Sequence, residues 1–179
     1  MPRRTRSAAR GFTLVELMVV VAIVGILAAL AVYGVRRYIT VSKTAEAIEI
    51  INSVRAAQEA YRDETFTYLS TTANLTTYHP EAPQGRKRSW QGGSDAAWAQ
   101  LGVGASAPVS FGYACVAGAA NSTVASIGAP VTASLGYPTT SPTPWYIVKA
   151  VGDDDADGIY SALVGSSFTD EIYSQSTDE

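Results

Sequence analysis

The sequence predicts an α+β protein in which one long N-terminal helix, hydrophobic and membrane-spanning in its first half, packs against a small antiparallel β-sheet. Three observations carry that expectation. Phe12 to Val35 is a run of 24 residues with a single charge, Glu16. Beyond it the chain stays helix-compatible but turns amphipathic, and from Thr65 it changes to Thr, Ser, Gly and Pro with strand-like alternation.

The apolar run is long enough to cross a hydrocarbon core, which takes about 20 residues at 1.5 Å each. After it, no proline occurs until Pro80 and no glycine between Gly34 and Gly85. Ala47, Ile51, Val54, Ala57 and Tyr61 recur at spacings of four, three, three and four, which marks one face of a helix. Arg55 and Glu59 sit one turn apart on the side read as exposed. One helix is therefore expected from about Phe12 to Asp63, with 12–35 in a membrane or filament core and 36–64 as the spine of a domain at 65–179. Small residues along the apolar part, Ala22, Gly25, Ala28, Ala29 and Ala31, allow close helix approach.

Within 65–108, Ser94 to Gly102 reads as a short helix, with Ser94 capping its start, Gly102 ending it, and Trp98 and Leu101 anchoring it. Strands are expected at about 109–117, 123–133, 145–151 and 159–168. The last two flank Gly152-Asp153-Asp154-Asp155-Ala156-Asp157-Gly158, a turn-forming cluster, and so should form a hairpin. The acidic tail from Asp170 reads as frayed.

Two features distinguish the N-terminus from an ordinary anchor. Arg3, Arg4, Arg6 and Arg10 stop abruptly at Gly11, and a carboxylate, Glu16, lies inside the apolar run. A charge within a bilayer costs roughly 2.5 to 3.5 kcal/mol on insertion scales, so Glu16 needs a partner. The next cations downstream are Arg36 and Arg37, and a chain cut between Gly11 and Phe12 would supply an amine at the right depth.

The stretch G-F-T-L-V-E-L-M-V-V-V-A-I-V-G-I-L-A-A-L-A resembles the processing site and helix of type IV pilins and pseudopilins, strongly over residues 11–64 and only generally beyond. The resemblance implies a pilin-like fold, removal of a leader at 1–11 by a prepilin peptidase cutting after Gly11, and N-methylation of Phe12. It also implies that Glu16 acts in assembly by pairing with the Phe12 amine of a neighbouring subunit. Where such proteins often carry a proline near the end of the segment, this one has Val32-Tyr33-Gly34.

Losing the leader removes four of thirteen basic residues against sixteen acidic ones, which leaves the remaining 168 residues at a formal −7. A nucleic-acid-binding surface is therefore disfavoured. The basic leader keeps the N-terminus cytoplasmic, as a single-pass inner-membrane protein whose remainder is periplasmic or on a cell-surface filament. Cys115 is the one cysteine, excluding an intrachain disulfide, and reads as a small buried residue. His79, the one histidine, reads as a loop residue.

Asp153-x-Asp155-x-Asp157-Gly158 resembles the opening of a calcium loop, although Val164 stands where an EF-hand wants glutamate. Calcium and an empty acidic turn both stay open. Arg86-Lys87-Arg88 beside Trp90 could contact anionic polysaccharide but reads as a solvated loop. No G-x-S-x-G, H-E-x-x-H or P-loop occurs, so no enzyme is expected.

The sequence thus reads as a structural filament subunit of self or mixed pilins, handled by a prepilin peptidase and inner-membrane assembly machinery. The alternatives are a type II secretion pseudopilin, or a Sec-exported binding protein with Ala29-Leu30-Ala31 as its cut site. What surface or polysaccharide it would meet does not follow.

Overall fold

The computed structural model describes residues 11–81, 85–90, 96–153 and 158–175. Its elements are α1 (Leu14–Thr65), α2 (Ala96–Leu101), β1 (Gly112–Gly118), β2 (Ser122–Thr123), β3 (Thr140–Ser141), β4 (Trp145–Gly152), β5 (Ser161–Ser166) and β6 (Tyr173–Gln175). The chain divides into two units, one up to Ile39 and one from Thr40 onward, with α1 belonging to both.

In the first unit α1 buries nothing. Leu14, Met18, Val21, Ile26, Leu30 and Val35 are all more than half exposed. An eighteen-residue window of this helix has mean hydropathy 2.8. A helix apolar on every side is a membrane span or the core of something larger.

In the second unit α1 is amphipathic and buries Ala47, Ile51, Val54 and Gln58, at spacings of four, three and four. That stripe lies on Tyr113, Cys115, Tyr146, Val148, Ala150 and Leu163 of the sheet. The sheet is antiparallel in the order β1-β4-β5-β6, with β2 and β3 pairing apart from it. Close contact of helix and sheet depends on Gly165, where an added Cβ would stand 2.8 Å from Ile51 Cγ2. The expected hairpin is β4 with β5, from Gly152↔Ser161 to Ile147↔Ser166.

Every residue of β4 is buried, because both faces of the sheet are covered. Tyr146, Val148 and Ala150 face α1, while Trp145 and Ile147 join Ala114, Val164 and Leu75 on the other side. Val124, Ala125, Ile127, Val131, Leu135, Tyr137 and Phe168 close that side from irregular chain. The strand expected at 123–133 is thus a covering segment, with only Ser122–Thr123 in a ladder. Its apolar residues are selected by burial rather than by pairing.

Lys149 holds this cover from within. The side chain is fully buried, and Nζ donates to the carbonyls of Ile127 at 2.7 Å and Ala129 at 3.0 Å, with the Tyr78 ring 5.4 Å away. Burial pulls its pKa down to about 8.

Two further expectations are corrected. The tail after Asp170 is not frayed throughout, since Tyr173–Gln175 forms β6 on β5. Arg55 does not pair with Glu59 on an exposed side: it is half-buried, and its guanidinium donates to the carbonyls of Asp170 at 2.8 Å and Thr169 at 3.3 Å. Glu59 accepts instead from the Tyr68 hydroxyl and pairs with Arg62 at 2.8 Å. Of the expected short helix, Ala96–Leu101 is helical and buries Trp98 and Leu101, and Gly102 ends it with φ +72°. Ser94 lies outside the described residues.

Candidate functional site

The candidate site is the start of α1. Gly11, Phe12 and Thr13 precede the helix, and Phe12 is 86% exposed. Thr13 is the N-cap. Its hydroxyl accepts from the Glu16 N–H at 3.2 Å, while Glu16 Oε2 accepts from the Thr13 N–H at 2.8 Å and from the Thr13 hydroxyl at 2.7 Å. The two residues thereby satisfy donors that a helix N-terminus leaves without partners, the reciprocal arrangement of a capping box.

This supplies Glu16 with a local partner other than an amine. A carboxylate oxygen with two short hydrogen bonds, next to the positive end of the helix dipole, is easier to hold in apolar surroundings than a bare one. The pattern Thr13-x-x-Glu16 is visible in the sequence as the capping-box signature, and the search for a cation passes over it. The second oxygen, Oε1, remains available to a further donor among the described contacts.

Other predicted positions fall elsewhere. Asp153 follows β4 and is 8% exposed, while Asp155 and Asp157 lie outside the described residues. Among the described residues no three His, Cys, Asp or Glu side chains are grouped as a metal site. Of the basic cluster, Arg86 and Lys87 are exposed loop residues as expected, Lys87 pairing with Glu46 at 3.0 Å, while Arg88 is half-buried and pairs with Glu81. Trp90 is buried.

His79 is likewise not a plain loop residue. It exchanges backbone hydrogen bonds with Tyr113, its Nε2 lies 2.9 Å from the Trp90 carbonyl, and its ring meets that of Trp90 edge-on at 4.9 Å. Cys115 is fully buried, as expected, and burial pushes its thiol up to about 12, which leaves it protonated and unreactive. Gln58 Nε2 lies 3.3 Å from its sulfur and donates to the Leu69 carbonyl at 2.6 Å, while Gln58 Oε1 accepts from Leu69 N–H at 2.9 Å. A polar residue on the buried stripe thus fastens the chain leaving α1.

An all-round apolar helix that opens on a glycine and a Thr–Glu capping box, and continues as the backing of an antiparallel sheet, defines a helix-anchored α+β protein of pilin-like fold. The chain matches the family described as "Prokaryotic N-terminal methylation motif" over residues 6–32. It is 43% identical over 72 residues to the type IV major pilin protein PilA of Myxococcus xanthus, covering 40% of this chain and 32% of that one. It is 46% identical over 50 residues to the type IV major fimbrial protein FimA of Dichelobacter nodosus, covering 28% and 31%. It is also 44% identical over 75 residues to the type II secretion system core protein G of Pseudomonas aeruginosa, covering 42% and 51%. Through this N-terminal segment the chain carries the prepilin-type methylation motif and is similar to type IV pilins and to a type II secretion pseudopilin.

The chain thus spans about a third to a half of the length of these relatives. No solved structure matches it significantly.

Proposed function

We propose that this chain is a structural subunit of a type IV pilus-like filament. It is cut by prepilin peptidase between Gly11 and Phe12, methylated on the Phe12 amine, and held as a single-pass inner-membrane protein with its N-terminus cytoplasmic. Inner-membrane machinery then moves it into a periplasmic or cell-surface filament with copies of itself or other pilins.

The observation that carries this reading is the first half of α1, apolar and exposed on every side. Such a surface is stable in lipid or against like helices, and transfer from one to the other loses little burial. Glu16 gives the packing its register: Oε1 takes the Phe12 ammonium of an adjacent subunit while Oε2 keeps its bonds to Thr13. The role is structural, without catalysis. The match to core protein G favours a second reading, a pseudopilin acting in secretion.

Mass spectrometry of the N-terminal peptide tests the core of the proposal. A methylated Phe12 is expected, and Val32 as first residue would establish the signal-peptide alternative instead. A finer part of the proposal is that Asp153, Asp155 and Asp157 hold calcium. Thermal unfolding in chelator and in millimolar calcium checks it, with a melting temperature a few degrees higher in calcium expected and equal temperatures counting against it.

A further inference from the structure

The sequence Asn-x-Thr occurs twice, as Asn74-Leu75-Thr76 and as Asn121-Ser122-Thr123, with no proline in the middle position. This is the acceptor sequence for N-linked sugars on exported proteins. The two copies sit in different surroundings, and the difference selects between them.

Asn121 is pinned by its backbone. It has φ +62°, its N–H donates to the Ser141 carbonyl at 2.6 Å, and Ser122 and Thr123 pair with Ser141 and Thr140 as β2 on β3. Ser122 Oγ donates to the Ala119 carbonyl at 2.6 Å and accepts from Trp145 Nε1 at 2.9 Å. A transferase would have to unzip this ladder to draw the chain into its active site.

Asn74 is presented instead. Asn74 and Thr76 are exposed, while Leu75 between them is 1% exposed and roots the turn in the core. Asn74 Oδ1 accepts from Thr76 N–H at 2.9 Å, Thr76 Oγ1 at 2.8 Å and Thr77 Oγ1 at 3.0 Å. Three donors on the amide oxygen fix the orientation of the carboxamide. Nδ2 itself makes no hydrogen bond to the described residues. The nearest backbone bonds upstream are those of Thr71 and Thr72 to the Cys115 carbonyl, so the tripeptide belongs to no ladder.

We propose that Asn74 is an N-glycosylation site, and that Asn121 is not. The donor is an oligosaccharide carried on a polyprenyl diphosphate. Asn74 Nδ2 attacks the anomeric carbon, the new bond is N–C1, the C1–O bond to phosphate breaks, polyprenyl diphosphate leaves, and the amide proton passes to a base of the transferase. The hydroxyl of Thr76 is the element that marks the site. This rests on the export of residues from Thr40 onward proposed above.

The test is the intact mass and peptide map of the full chain purified from its native cells. One oligosaccharide is expected on the Asn74 peptide, lost in Asn74→Gln and in Thr76→Ala, kept in Thr76→Ser and unaffected by Asn121→Gln. A chain that begins at Phe12 and carries no sugar at Asn74 overturns the proposal while leaving the filament reading intact. An uncut, unmodified chain overturns both. Sugar that persists in Asn74→Gln overturns the assignment of the site.

Discussion

Residues 14–39 and 40–65 are halves of one continuous helix, but they obey different rules of composition. In the first half every position is apolar or small save Glu16 and the two arginines near its end, and none of the described residues covers it. In the second half only a stripe of Ala47, Ile51, Val54 and Gln58 is buried, and charged residues fill the other faces. Backbone geometry is shared, so what differs is the solvent each half is written for. One half needs an apolar environment supplied from outside, and the other makes its own against the sheet.

The sharpest way to break this comparison is a matched pair of truncations. Ile51→Ala should destabilise the unit from Thr40 onward by about 2 to 5 kcal/mol, because Ile51 is fully buried against the strand carrying Gly165. Ile23→Ala, at a position 53% exposed, should leave that unit unchanged and act only on membrane or filament packing. Urea unfolding of the full chain in detergent distinguishes them, since all three tryptophans, Trp90, Trp98 and Trp145, lie in the second unit and report on it alone. Equal losses would erase the division between the halves.

A smaller effect tests whether the second half truly makes a dry interior. Lys149 is less basic folded, at about 8, than at its ordinary 10.5. Between those values the unfolded chain holds more protons, so stability rises with pH. Cys115 and Tyr146 act in the opposite sense, each pushed up to about 12 by burial from 9.0 and 10.0, so their contribution falls away above those ordinary values. Stability of the unit should therefore rise from pH 8 to 9, by at most about 1.4 kcal/mol for one proton. It should level off above 9 and decline above 10. Lys149→Met should remove the rise, and Cys115→Ala should extend it towards 10. A flat profile in the parent would mean that water reaches Nζ.

The smallest effect concerns how the first half begins. Thr13→Val removes the cap and should cost the helix start about 1 kcal/mol, whereas Thr13→Ser should keep it. Amide exchange of residues 14–17 in detergent is the measurement. Unchanged protection in Thr13→Val would show that Glu16 is held some other way.

The first half of α1 was legible from its unbroken apolar run, the second from periodicity, and the β4–β5 hairpin from the glycine- and aspartate-rich turn between two apolar runs. Gln58 was not, because a polar side chain reads as exposed even where the four-three-four spacing from Ala47 lands on it. The segment 123–133 misleads for the reverse reason. Its Val124, Ile127 and Val131 are apolar because they cover a sheet face, and alternation does not distinguish covering a sheet from joining one. β6 is three residues long and is fixed by pairing with β5, a long-range contact that local pattern does not record. At the candidate site the carboxylate stood out in sequence, while its partner did not, because threonine carries no charge to attract notice.

The clasp made by Lys149 has a consequence for how this protein can change over generations. It grips Ile127 and Ala129 by their carbonyl oxygens, which every amino acid provides. The covering segment is thus fastened there by its main chain, and its outward side chains at Ser126, Ala133 and Ser134 are left out of the bargain. Those positions are open to drift, so the outer face of the segment can be rewritten without disturbing the sheet beneath it.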